Sequence, residues 1–331
     1  MKKINLSEGS IIKNLISLSW PMMLAFMLQT SFNIVDATFV GRISAMALAA
    51  VSLTFPVVFL MISLAAGAGV GTTSLIARLL GANKQEEANN AAEHAYLIAF
   101  FLSIIFMIIG FIFGKPLFRF IGATEEMLPM VLDYTNIIFA GSIVMFAAFI
   151  SNSILRGEGD MKTPMKVMMI STVINIILDP IMIFGWGFIP AMGIKGAAIA
   201  TVIARTVGAI IAIRYILMGN STLKLNIKKF AFKFRIIKDI LKVGLPASLS
   251  QSTMALGIFF MTKIVSSFGP FAIAAYGLGF RLDSVAVMPA IGLSTAVITI
   301  VGFNIGAKKP ERAKKTTWIG ALLSFAFMGI I

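Results

Sequence analysis

The chain has 331 residues, 58% of them hydrophobic and 13% charged, with a net charge of +14, and its mean hydropathy of +0.94 lies well above that of an ordinary soluble domain. Such a composition excludes a soluble globular protein and specifies an all-α polytopic membrane protein. With no cysteine and one histidine, disulfides, thiol chemistry and an imidazole-rich metal centre are excluded as well.

Crossing roughly 30 Å of hydrocarbon takes about 20 residues. Windows of that length predict spans over 15–40, 46–76, 92–114, 130–152, 165–188, 193–217, 238–263 and 272–302. A ninth apolar stretch starts near Thr316 and reaches Ile331 before it could span, so a chain cut within its ninth span is expected. The first stretch is too long for a signal peptide and has no small-residue cleavage site, which makes it span one.

The basic residues fall in alternate loops. Lys2, Lys3 and Lys13 precede span one; Arg78 and Lys84 follow span two; Arg156, Lys162 and Lys166 follow span four. Lys224, Lys228, Lys229, Lys233 and Arg235 follow span six, and Lys308, Lys309, Arg312, Lys314 and Lys315 follow span eight. By the positive-inside rule these loops and the amino terminus are cytoplasmic, in a multi-pass protein of the cell membrane. Loop placement thus accounts for the charge without a nucleic-acid partner. His94, beside Glu93 near the start of span three, reads as a headgroup-level residue rather than a proton relay.

Sliding the chain along itself by 225 residues exposes a repeat. Pro21 falls on Pro246, Leu53 on Leu278, Gly67 on Gly292, and "GANKQEEA" on "GAKKPERA". The copies begin at spans one and seven and enter the membrane in the same direction, as in transporters built of two parallel halves around a central cavity. The expected division is an N-lobe over 1–217, a linker over 218–237 and a partial C-lobe over 238–331. The repeat does not extend to polarity: Gln29, Asn33 and Asp36 fall on Met254, Ile258 and Met261. An ionisable side chain inside a span costs about 2.5–3.5 kcal/mol on insertion scales and points to function.

In span five, "NIILDP" sets Asn175 and Asp179 four residues apart, on one helix face. Pro180 has no amide hydrogen, so the carbonyl of Ile176 is left for an ion or water. At 1.5 Å per residue, Asp36, Asp179 and Thr201 reach similar depth in the outer half of the membrane. Two carboxylates, an amide oxygen and a hydroxyl are hard donors suited to sodium, and two mutually repelling carboxylates also favour protons; both ions stay open. Gln29, Asn33, Asn152 and Gln251 are candidate cavity-lining side chains.

Two signals are set aside. "GEGD" at 157–160 matches an intramembrane aspartyl protease motif, but Asp160 sits among charged loop residues, away from membrane depth. "GAGVG" at 67–71 lies inside a span and has no following Gly-Lys-Ser/Thr, so it reads as close helix packing.

"SWPMMLAFMLQTSFNIVDATFVG", "RGEGDMKTP", "NIILDPIMIFG" and "GIKGAAIAT" together resemble the multidrug and toxic compound extrusion (MATE) family. The resemblance implies two six-helix lobes, the first complete here and the second partial. It implies export of organic, cationic or amphiphilic compounds in exchange for Na+ or H+, by a monomer in the lipid bilayer that is no enzyme and carries no cofactor beyond the coupling ion. Asp36, Asn175, Asp179 and Thr201 are the implied cation site, ligating a metal only if the ion is sodium, and Pro21 is the implied bending point in span one. The sequence departs from the family in ending within span nine and in having Gln251 but no carboxylate in the interior of span seven. The alternatives are a lipid-linked oligosaccharide flippase of the same broad superfamily, a channel, or an intramembrane protease. A flippase calls for several basic residues around a pyrophosphate, whereas the membrane-depth charges of the first lobe read as acidic.

Overall fold

The computed structural model describes residues 6–225 and 230–328, apart from the side chains at 281–282, 284–286 and 288. Lys2, Lys3, Lys228, Lys229 and the last residues through Ile331 lie outside the described residues. Among the described residues ten helices follow one another: α1 (Ile11–Ile43), α2 (Ala45–Gly81), α3 (Gln85–Ile121), α4 (Leu128–Ala140), α5 (Ser142–Gly157), α6 (Lys162–Phe184), α7 (Ile194–Leu217), α8 (Phe234–Ser266), α9 (Pro270–Gly306) and α10 (Pro310–Met328). Seven are long and apolar enough to cross a membrane, and α4 with α5 makes an eighth crossing as a bent pair. The protein is an all-α, multi-pass membrane protein.

The helices overrun the hydropathy windows because polar end turns are also helical. Ser44 ends α1 and caps α2, its Oγ accepting from the Ala47 amide at 2.9 Å, so one residue turns the chain. Asp160 does the same for α6: Oδ1 accepts from the amides of Lys162 (3.1 Å) and Thr163 (2.9 Å), and Oδ2 from the Thr163 hydroxyl (2.6 Å). The aspartate of "GEGD" is therefore a helix cap. Its neighbour Glu158 accepts from Ser221 and from the amide and hydroxyl of Thr222, binding the α5–α6 loop to the segment after α7.

Span four differs from the single helix expected. It breaks at Gly141 with a 51° bend between α4 and α5. A Cβ at Gly141 would lie 2.6 Å from Val202 Cγ2, so glycine lets α7 approach at the break. His94 is more than a residue at a helix end. It is fully buried, with Nε2 accepting from the Lys233 amide at 2.8 Å and Nδ1 donating to the Asn90 carbonyl at 2.8 Å, beneath the rings of Phe230 and Phe232. The residue fastens the segment before α8 to α3.

One large core, centred on α2 through α7, also takes in the outer end of α1 and parts of α8 and α9, and a smaller one joins the amino-terminal segment and α1 to α9. Between the repeats, α2 packs on α8 and α9, and α1 on α9. The contacts obey the 225-residue offset. Phe55 meets its own counterpart Phe280 ring to ring at 4.9 Å, and Gly277 sits against its counterpart Ser52. A Cβ on Gly81 would collide with the Phe303 carbonyl, and one on Gly306 with the Arg78 carbonyl. Gly67 presses on Ser248 while Gly292 presses on Met22 and Met23. Each contact therefore has a mate with the two copies exchanged, and small residues let backbone touch backbone where no hydrophobic drive separates helix from lipid.

Candidate cation site

The polar residues of spans five and six converge. On α6, Asn175 and Asp179 are 2% and 0% exposed, and on α7 Thr201 is 9% exposed. Asn175 Nδ2 lies 3.3 Å from Asp179 Oδ1 and 3.4 Å from Thr201 Oγ1, so one amide donates toward both. Its orientation fixes what remains. Asn175 Oδ1 and Asp179 Oδ2 are buried without a hydrogen-bond partner among the described residues. A buried carboxylate oxygen left so is costly, and a cation is the partner that relieves it. Asp36, 6% exposed on α1, which packs directly on α6, carries the cluster's second carboxylate and acts electrostatically on Asp179.

Beneath this layer, Gln29, Thr172, Asn175, Thr201 and Arg205 line a cavity of about 10 Å³, room for a single water-sized sphere. Gln29 Oε1 accepts from Arg205 Nη2 at 2.6 Å, and Gln29 Nε2 donates to Asn33 Oδ1 at 3.3 Å. A chain of polar groups therefore runs from α7 across to α1 and up that helix toward Asp36. Asn152 on α5 and Gln251 on α8 do not join these hydrogen bonds; Asn152 Oδ1 is buried without a partner of its own. Pro180 continues α6 as far as Phe184, and Pro21 lies inside an unbroken α1.

Arg205 corrects the expectation that membrane-depth charge in this lobe is acidic alone. Its signal was present in the sequence: a guanidinium inside a predicted span, one turn beyond Thr201 on the same face. The donor set fits a small, hard cation. Two carboxylates, an amide oxygen and a hydroxyl are hard ligands of the kind alkali and alkaline-earth ions take. Among the described residues no group of three or more histidine, cysteine, aspartate or glutamate side chains is placed to hold a metal ion.

The sequence profile of the MatE family matches residues 21–181 and 246–331. The FAD transporter of Shewanella oneidensis is 30% identical over 328 residues, covering 98% of this chain and 71% of that protein. The probable multidrug resistance protein YoeA of Bacillus subtilis is 31% identical over 330 residues, again covering 98% and 71%. A solved structure of a MOP superfamily transporter from Pyrococcus furiosus superposes with a TM-score of 0.90 at 32% identity, over 99% of this chain and 72% of that one.

Proposed function

From the premise that the chain belongs to the MatE family of transporters, we propose that it moves organic compounds out of the cell in exchange for Na+ or H+, bound at Asp36, Asn175, Asp179 and Thr201. The observation that carries this reading is the pair of buried oxygens, Asn175 Oδ1 and Asp179 Oδ2, that the described residues leave without a donor. Relatives named for multidrug resistance support small organic substrates, and the relative named for FAD supports a wide range of them. The basic ends of the helices support an amino terminus on the cytoplasmic side of the cell membrane. The repeat supports an N-lobe over 1–217 and a C-lobe from 238, acting together as a monomer.

Exchange requires that ion and substrate favour different states. Two carboxylates on α1 and α6 repel when both are charged, and a bound cation removes that repulsion, letting α1 close on α6. Pro21 withholds a hydrogen bond from the carbonyl of Ser17, so α1 has a weak point well below Asp36 at which to bend. Closing this lobe shrinks the space between the repeats and expels the substrate. A flippase of the same superfamily is less well supported, because the cluster contains one guanidinium rather than the several a pyrophosphate calls for.

The test is drug efflux from vesicles with sodium and proton gradients imposed separately. One gradient should drive efflux, and Asp179→Asn should abolish it. Gradient-independent efflux, or full efflux by Asp179→Asn, would overturn the reading.

A further inference from the structure

Two matching helix faces stand uncovered at the same end of the two repeats, and the 225-residue offset lets them be compared residue by residue. On α1, Ser10, Ile12, Lys13, Ile16, Ser17 and Trp20 line an open groove of about 640 Å³. The offset sets these on Arg235, Ile237, Lys238, Leu241, Lys242 and Leu245 of α8. The apolar positions repeat, and Lys13 repeats as Lys238, but the two serines become Arg235 and Lys242. One cation on the first face thus stands against three on the second.

We propose that the α8 face binds an anionic phospholipid, its headgroup among Arg235, Lys238 and Lys242 and its acyl chains along the apolar surface that follows. The three cations recur at three- and four-residue steps, so they share one side of the helix. All three are exposed, and none forms a salt bridge among the described residues; Asp239, the carboxylate of the same turn, pairs with Arg78 at 3.5 Å. The same side continues as Leu245, Leu249, Leu256 and Phe260, all exposed. Between Lys242 and Lys263 the helix carries no charge, for about 20 residues, the length that crosses about 30 Å of hydrocarbon. Lys242 then lies at the edge of the hydrocarbon, with Lys238 and Arg235 about 6 and 10 Å beyond it, at the depth of lipid phosphates. Basic clusters beside a span attract anionic headgroups. A soluble anion would match the head of this face and leave the apolar stretch unused; a phospholipid matches both.

The experiment titrates phosphatidylglycerol or phosphatidylcholine into the purified full chain in neutral detergent and reads the tightest-bound lipid by native mass spectrometry. The proteins are the native chain, Lys13→Gln, the triple variant Arg235→Gln/Lys238→Gln/Lys242→Gln, and the charge-keeping triple variant Arg235→Lys/Lys238→Arg/Lys242→Arg. Each cation near a headgroup contributes about fivefold in affinity. The glutamine triple variant should therefore lose about a hundredfold for phosphatidylglycerol and change little for phosphatidylcholine. Lys13→Gln, on the matching α1 face, should leave the tightest phosphatidylglycerol in place, and the charge-keeping variant should bind as the native chain does. If the glutamine triple variant does not fold, Lys238→Gln and Lys242→Gln singly should each lose about fivefold. Equal affinity of the native chain for the two lipids, full retention of phosphatidylglycerol by the glutamine variants, or an equal loss in Lys13→Gln would each overturn the proposal. So would displacement of the lipid by inorganic phosphate at the same concentration, which would mark a site for free anions rather than for lipid.

Discussion

Asn175 and Asp179 lie one turn apart on α6, joined at 3.3 Å, and each keeps an oxygen that nothing among the described residues serves. A pair evolved for stability would satisfy both. Asp179→Asn should therefore leave the melting temperature unchanged or higher, since it removes a buried charge that has no cationic partner within salt-bridge distance among the described residues. Had the carboxylate been one half of a structural ion pair, its loss would destabilise by about 3–5 kcal/mol. Thermal melting of the purified protein separates the two, with a large fall in melting temperature counting against an ion-binding role.

Gly81 and Gly306 face equivalent carbonyls across the repeat, those of Phe303 and Arg78. Adding one methyl to either, as Gly81→Ala or Gly306→Ala, should destabilise by about 1–3 kcal/mol through overpacking. The two single variants should lose similar amounts, and the double variant less than their sum, because one displacement of the repeats relieves both clashes. Gly257 and Gly279 have nothing within 4 Å of a built Cβ. Alanine at those positions should be neutral or stabilising, by about 1 kcal/mol at most. Denaturant unfolding in detergent measures all five proteins.

His94→Ala removes the acceptor that holds the Lys233 amide. The buried N–H left behind costs about 1–3 kcal/mol, a loss local to the segment before α8. Hydrogen–deuterium exchange should quicken at Lys233 and its neighbours while the centre of α3 keeps its protection. Unchanged exchange at Lys233 would show that the ring does not fasten the segment.

Glu158 lies outside the spans, and burial holds its carboxyl above the ordinary glutamate range, with the hydrogen bonds from Thr222 and Ser221 offsetting part of that and Asp160 adding to it. The folded protein therefore binds this proton more tightly than the unfolded chain does. Stability from this group is fully present below the ordinary glutamate range and is lost as pH rises through the folded value. Glu158→Gln keeps an acceptor and has no charge to desolvate. Its melting temperature should be less dependent on pH across that window, and should exceed the native value at the upper end.

Much of this arrangement can be read without coordinates, because polar residues at helical spacing in an apolar span have few explanations. Asn175 and Asp179 declare a shared face by their separation, and Asp36 declares itself by having Met261 as its repeat counterpart. Arg205 escapes notice for the opposite reason: a hydropathy window averages one guanidinium into "ATVIARTVGAII", and only the packing of α7 beside α1 brings it to Gln29. The break at Gly141 and the burial of His94 are likewise tertiary. Nothing near Gly141 in sequence announces Val202, and nothing near His94 announces the amide of Lys233, 139 residues away.

The pairing of Phe55 with Phe280, and the matched contacts of Gly81 with Phe303 and of Gly306 with Arg78, mean that the surface each half offers the other is one surface used twice. It is the interface of a two-fold homodimer carried within a single polypeptide. While the chain is being made, the first half reaches the membrane with that surface uncovered, and the surface fits a second copy of itself. Until α8 and α9 arrive, two nascent chains can pair through their first halves in the register that the finished molecule uses internally. The speed with which α8 and α9 follow α7 then decides between the correct molecule and a dimer built from the same contacts.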